Sequence, residues 1–393
     1  PGVSGYAVVD SGGRLAGLGV YSTGAGVARL GYAVAADTIA ASLPSLREGP
    51  FALAATPTPA QPGAGAPIFG PRDGEILHDA TGRAPVSVRA RVDVADSIVS
   101  ATFINPYPLT AGSWSYGIRV RLKGMAAHTV FVRSDLRWHH WYNDAAGNPV
   151  QSKASGHHDG ILIAENAENT IKVVTAGSRG WLFINDQHAA TLDLTGLITS
   201  GDVEVVTGLF SGDQRAGEKT EYRSFAVRRV GSGPSDMAGA LVRRTPGFIP
   251  VEGPGVSYTD VIAEAVFDNP GTGAWTYGLL FRQRAINTFY AVFVGSDGYW
   301  HHHVRNGSVV SDRELKRGES AAIVTTAPGR NHMLVLAAGT AGALFINGRF
   351  AGDLDLSELQ GGGDVKVFAG YFNFDQAVGV STTYEAFTVR PAG

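Results

Sequence analysis

Two pairs of side chains offer chemistry at a spacing of two residues: His139 with Trp141, and His301 with His303. On a strand, residues two apart share a face and neighbours point to opposite faces. His139 and His140, or His301 and His302, therefore cannot chelate one ion from a regular strand. His301 and His303 could, but no acid or third histidine stands at an obvious spacing from them, so no metal is assigned. His157-His158-Asp159 reads as a turn. An indole and an imidazole on one face make a different kind of site, an apolar platform with a polar edge that stacks on a sugar ring or a protein loop. His139, Trp141, His301 and His303 are accordingly the candidate ligand-binding residues. No EF-hand calcium loop is present; calcium held by scattered loop oxygens stays open, and no other cofactor is implied.

The elements that position these residues come in two copies. Phe131-Val-Arg-Ser-Asp-Leu-Arg-Trp-His-His-Trp-Tyr-Asn143 returns 162 residues on as Phe293 to Asn306, placing Trp300 where Trp138 stands. The same offset carries Asn185 to Asn347, Asp193 to Asp355, Asp202 to Asp364, Tyr222 to Tyr384 and Phe225 to Phe387. A repeat of that length is a duplicated domain and not a short-period solenoid. Trp138 and Trp300, kept in register, read as core. The four recurrent aspartates lie beside turns and read as turn hydrogen-bonders.

Each copy shows period-two patterning. Trp114, Tyr116, Ile118 and Val120 alternate with Ser115, Gly117, Arg119 and Arg121, so one face is expected buried and the other mostly wet. Asn347-Gly348 between two apolar runs predicts a type I′ hairpin, with Asn185-Asp186 as the weaker counterpart. Phe225 and Val227, or Phe387 and Val389, are expected to bury the closing strand. With about a dozen short strands per copy and no helix of βαβ length, a two-sheet sandwich is the natural solution.

The chain of 393 residues suffices for two or three domains, each with its own core. Its formal charge of −3 gives no footprint for nucleic acid or an anionic membrane. There is no cysteine, hence neither disulfides nor a zinc–thiolate site, a composition found in many bacterial exported proteins. The 52 glycines and 17% charged residues suit an all-β protein. No apolar run approaches the roughly 18 residues of a membrane span. Pro1 stands without an initiator Met or an export signal, which suggests a piece of a longer protein.

Residues 1–48 resemble the C-terminal end of a trypsin-like serine protease domain. The resemblance rests on Gly2-Val3-Ser4-Gly5, the Gly-rich hairpin through Gly13 to Val20, and Tyr32-Ala33-Val34-Ala35-Ala36-Asp37 leading to an expected helix over residues 35–46. It implies Ser4 as nucleophile and the Gly2 and Ser4 backbone N–H groups as oxyanion hole, with His and Asp partners upstream of Pro1. Val3 and Tyr6-Ala7 depart from that family's pattern. The same resemblance implies a bound partner, the cleaved N-terminal part of the same protease domain.

Residues 49–67, rich in Pro, Gly and Ala, read as an extended linker. Beyond it, Asp-Gly-x-Trp, then Leu-Phe-Ile-Asn-Gly, then a closing Phe-x-Val strand resemble the concanavalin-like and laminin-G-like jelly rolls, over 68–230 and 238–393 with a short 231–237 linker. The paired-carboxylate strand motif of the hydrolases among them is absent. The expected fold is all-β: two tandem jelly-roll sandwiches behind a β-hairpin and helix remnant of a chymotrypsin-like barrel. The expected function is extracellular or cell-surface binding or adhesion, with a glycan or protein as ligand. The alternatives are a secreted serine protease with jelly-roll targeting domains, or a structural subunit of an extracellular assembly.

Overall fold

The computed structural model describes the strands between residues 3 and 35, and residues 66–392 apart from 80, 82–84, 147–148, 245–248 and 373–377. The chain divides into two compact units, Pro1–Pro62 and Gly63–Gly393.

In the first unit, β1 (Val3–Val9), β2 (Leu15–Ser22) and β3 (Tyr32–Ala35) form an antiparallel sheet in chain order. Ser4 lies within β1, opposite Tyr21. Gly2 and the rest of the helix expected beyond Ala35 lie outside the described residues.

Among the described residues the second unit holds twenty-four strands, twelve from each copy. The first copy runs β4 (Phe69–Leu77), β5 (Val86–Arg89), β6 (Ser97–Ile104), β7 (Ser115–Lys123), β8 (Ala126–Arg133) and β9 (Arg137–Asn143), then β10 (Pro149–His157), β11 (Glu168–Ala176), β12 (Arg179–Ile184), β13 (Gln187–Asp193), β14 (Asp202–Thr207) and β15 (Lys219–Arg229). The second runs β16 (Met237–Val242), β17 (Val251–Glu252), β18 (Val261–Asp268), β19 (Thr276–Ala285), β20 (Thr288–Gly295) and β21 (Tyr299–Asn306), then β22 (Arg313–Glu319), β23 (Arg330–Ala338), β24 (Ala341–Ile346), β25 (Arg349–Asp355), β26 (Asp364–Ala369) and β27 (Ser381–Pro391).

Sheet orders repeat strand for strand. The first copy gives β5-β14-β7-β8-β9-β10 and β4-β15-β6-β11-β12-β13; the second gives β17-β26-β19-β20-β21-β22 and β16-β27-β18-β23-β24-β25. All are antiparallel. The fold is a tandem pair of jelly-roll sandwiches.

Within each sandwich the two inner faces supply the core. Trp114 stacks on Tyr116 at 4.9 Å and Trp275 on Tyr277 at 4.7 Å, all four buried. Trp138 and Trp300 are also buried, each packed against a glycine, Gly156 or Gly318, where a Cβ would meet the indole. Phe225, Val227, Phe387 and Val389 are fully buried. Asn347 and Gly348 both have positive φ, as do Asn185 and Asp186, which is the backbone of a type I′ turn. Asp193 accepts from the Thr195 backbone and hydroxyl, Asp355 from the Ser357 N–H, and Asp202 and Asp364 from the N–H of the next residue, so all four aspartates hold turns or strand ends.

The expectation of a wet outer face on the strand after Trp114 is overturned. β7 and β19 are buried on both faces for most of their length. Arg121 and Arg282 take positive φ, 57° and 50°, which turns the guanidinium inward. Arg282 donates to the carbonyls of Thr259, Leu356, Leu359 and Gly339 and to Asp260; Arg121 makes the matching set to Ala95, Leu197, Gly177 and Asp96. A charge desolvated this far is tolerable only with its donors satisfied.

The outer faces of β6, β11 and β12 pack directly on those of β18, β23 and β24. Ile98, Val174, Ala176, Trp181 and Phe183 meet Ile262, Leu334, Leu336, Ala338, Ala343 and Phe345 in one apolar cluster. His188 stacks on Phe350 at 4.3 Å, and its N–H donates to Asp353 at 2.8 Å. The two sandwiches thus form four sheets in succession, and residues 231–237 run along the end of β27, with Gly231 N–H on the Pro391 carbonyl and Val389 N–H on that of Pro234.

Candidate functional site

Within the second unit and among the described residues, back-to-back packing leaves one broad sheet face per sandwich uncovered by another sheet of that unit: the outer face of the sheet containing β7, β8 and β9, and its counterpart on β19, β20 and β21. Strand alternation places the histidines accordingly. Trp138 and His140 point into the first sandwich, His139 and Trp141 outward; Trp300 and His302 point into the second, His301 and His303 outward. All four candidate ligand-binding residues therefore lie on these outer faces, in two separate groups.

In the first sandwich, Phe131 is the floor. His139 stacks on it at 4.9 Å, Trp141 meets it edge-on at 4.6 Å, and Phe210, from the loop after β14, stands at 79° to Trp141 with ring centres 5.0 Å apart. Trp141 and Phe210 are partly buried against Phe131, and together they form a corner. The Arg133 guanidinium lies 4.6 Å over Phe210 and is tied to the buried Asp213 at 3.1 Å, fixing the loop. Burial lowers the pKa of His139, so its ring is neutral near pH 7. The floor beside Phe131 is Gly117, where a Cβ would collide with the Val130 carbonyl.

In the second sandwich the same frame carries different chemistry. Phe293 is the floor, stacked by His301 at 4.9 Å and by Tyr371 at 4.5 Å, with Phe372 edge-on. His303 replaces Trp141. Across the strand pair, β22 presents Glu314 opposite His303, because the register shifts between His302 and His303. The absence of an acid near these histidines, expected from spacing, is thus corrected: a bulge at Leu315 puts Glu314 where a regular ladder would put Leu315. His301 Nδ1 lies 2.6 Å from Glu314 Oε1, and His303 Nδ1 lies 3.0 Å from Asp312 Oδ1. Asp312 also accepts from the Tyr371 hydroxyl at 2.9 Å and from Arg305 at 2.7 Å. Burial would raise the Asp312 pKa, but the hydrogen bonds from His303, Arg305 and Tyr371 prevail and hold it at about 2.

The inward histidines serve the interior. His128 and His140 share a contact of 3.1 Å, and His302 lies against Tyr290 with both ring nitrogens unpartnered. Burial pushes His302 down to about 3. His157 pairs with Asp159 at 2.8 Å on the surface.

Phe210, Phe372, Glu314, Asp312 and Arg305 were not singled out from sequence. Phe210 and Phe372 did carry a signal, the Gly-x-Phe of Gly208 to Phe210 recurring at Gly370 to Phe372.

No protein-family model matches the chain, and no curated protein does. Solved structures with detectable similarity include the carbohydrate-binding module CBM66 of Bacillus subtilis (12% identity, 39% of this chain, 94% of that one, TM-score 0.30). Domains LG4-5 of the mouse laminin α1 chain are similar over 83% of this chain and 88% of theirs, at 12% identity and TM-score 0.25. The Caenorhabditis elegans galectin LEC-6 is similar over 38% of this chain and 95% of its own, at 10% identity and TM-score 0.27. Likeness at that level assigns no function, and the jelly-roll assignment stands on the chain's own sheets. Among the described residues, no helix is long and apolar enough to cross a membrane.

Proposed function

We propose that this chain is an extracellular or cell-surface binding protein whose first sandwich holds a glycan on its outer sheet face, stacked in the corner made by Trp141 and Phe210. The observation that supports this is that Trp141, on the outer face, is only partly buried. The duplicated fold manages without an indole at this place, since His303 stands there in the second sandwich, so Trp141 is not demanded by the core. A ring that a fold can spare, only partly buried beside a second aromatic at nearly a right angle, offers apolar surface for a sugar's C–H face to stack on. Arg133 and Asp135, paired at 3.1 Å at the rim, supply the polar edge that orients hydroxyl groups. The test is a glycan array probed with the full chain and with Trp141→Ala. Selective glycan binding by the parent, lost in the variant while thermal stability is largely kept, is the expected result. No glycan retained by the parent, or binding indifferent to the substitution, overturns the reading; capture of a protein ligand dependent on Trp141 would move the assignment to protein recognition.

A further inference from the structure

We infer that the outer face of the second sandwich is a transition-metal site, with His301, His303 and Glu314 as ligands to one zinc-type divalent ion. One donor atom from each of the three lies within 4.8 Å of the other two. The inference does not depend on glycan binding by the first sandwich.

Three features go beyond a cross-strand ion pair. First, His303 is 8% exposed, yet its Nε2 is buried without a hydrogen-bond partner. A buried lone pair left unmet costs free energy, and an ion would meet it. Second, the other nitrogen of that ring has its own partner. Asp312, which also accepts from Arg305 and Tyr371, lies 3.0 Å from Nδ1, a geometry that pairs Nδ1 with the carboxylate and turns Nε2 toward Glu314. A carboxylate behind a ligating histidine is the arrangement that orients imidazole toward zinc. Third, His303 Nε2 stands 3.8 Å from Glu314 Oε1, too far for a hydrogen bond. It is near the roughly 3.3–3.5 Å that two ligands at about 2.0–2.1 Å span across a tetrahedral ion. His301 Nδ1 and Glu314 Oε1, at 2.6 Å, are closer than that, so Glu314 must draw back by under about 1 Å. Its side chain, 35% exposed, is free to do so.

Two imidazoles and one carboxylate select zinc, cobalt or nickel over calcium and magnesium, which take oxygen ligands. Three protein ligands leave a fourth position for water or a ligand oxygen. Among the described residues the first sandwich has no such set: Ser152 pairs with Trp141 where Glu314 pairs with His303.

The test is titration of the full chain with Zn2+ under chelator competition, and with Co2+ monitored by its visible absorption. One ion per chain with micromolar or tighter affinity is expected, with a Co2+ spectrum of low-symmetry tetrahedral or five-coordinate type. Glu314→Gln, on the half-open strand, should weaken binding at least 10-fold without loss of fold. His303→Ala should do the same, and Asp312→Asn, acting through His303, should cost about 10–100-fold. His157→Ala should change nothing. No uptake at 100-fold excess of Zn2+ over protein, or uptake that survives both Glu314→Gln and His303→Ala, overturns the inference; uptake lost in His157→Ala instead would place the ion on the 157–159 turn and overturn it equally.

Discussion

The outer faces of the two sandwiches share a floor and differ in what stands on it. Phe131 and Phe293 occupy the same place, each stacked by a histidine, yet the first face carries an indole, Ser152 and the Arg119–Glu204 ion pair at 2.7 Å, while the second carries His303, Glu314, Leu280 and Lys366 at the matching positions. The interiors beneath are nearly interchangeable. Arg121 and Arg282 make matching contacts, with one further carbonyl, that of Leu356, on Arg282, and the cluster of Asn105, Tyr116 and Asn169 is reproduced by Asn269, Tyr277 and Asn331 down to the Tyr–Asn hydrogen bonds of 2.6 and 2.5 Å. A duplicated frame has kept what holds two sheets together and diverged where side chains face outward. The physical reason is that interior groups must satisfy fixed carbonyls and volumes, whereas outer positions answer to whatever they meet.

The largest expected effect comes from breaking the shared interior. Arg282→Ala removes a donor from four carbonyls and from Asp260, and Arg121→Ala removes one from three carbonyls and from Asp96. Each should cost about 3–5 kcal/mol, read from urea unfolding, and the two costs should agree within about 1 kcal/mol if the interiors are equivalent. A loss under 1 kcal/mol in either would refute the equivalence. Next comes the face the sandwiches share with each other, where Trp181 is 2% exposed beside Phe345. Trp181→Ala should cost about 3 kcal/mol and split a single calorimetric transition into two. An unchanged single transition would show that the sandwiches are not coupled through that ring.

On the outer face the effects should be smaller. Trp141→Ala removes a half-buried ring and should cost about 1–2 kcal/mol in stability while abolishing ligand binding. A fall beyond about 3 kcal/mol would mean the ring is core after all.

The smallest effect concerns pH. Burial holds His140 and His302 at about 3 and His128 at about 4, below the 6.5 of an unfolded chain. Above pH 6.5 none is charged in either state. Below it the unfolded chain takes up protons that the folded one refuses, so stability falls as pH drops from 6.5 toward 3. His302→Phe removes one such group and two unpartnered nitrogens; it should gain up to about 1 kcal/mol at pH 7 and a larger margin at pH 5, seen as a shallower fall of Tm with acid. A parallel fall in both proteins would sink the assignment.

Much of the frame was legible in the sequence, because duplication, period-two patterning and turn chemistry are local signals. Trp138 and Trp300, the Asn347-Gly348 turn and the four turn aspartates all stand as their spacing implied. What was not legible depends on departures from regularity. Arg121 and Arg282 looked solvent-facing from alternation, and only a left-handed backbone at each turns them inward. No acid stood at an obvious spacing from His301 and His303, and only a bulge one residue long sets Glu314 opposite His303. Nor was it read from sequence that the outer face of Leu334 to Ala338 meets the other sandwich, because a contact between two domains leaves no local pattern.

The four-sheet stack has a consequence for reach. With neighbouring sheets about 10 Å apart, the two outer faces lie roughly 30 Å from each other and look in opposite directions. A molecule built this way gains nothing in avidity from a single flat surface, because engaging one face turns the other away from it. Within the second unit, the four stacked sheets set the two faces a fixed distance apart, so a ligand on one makes no contact with the other.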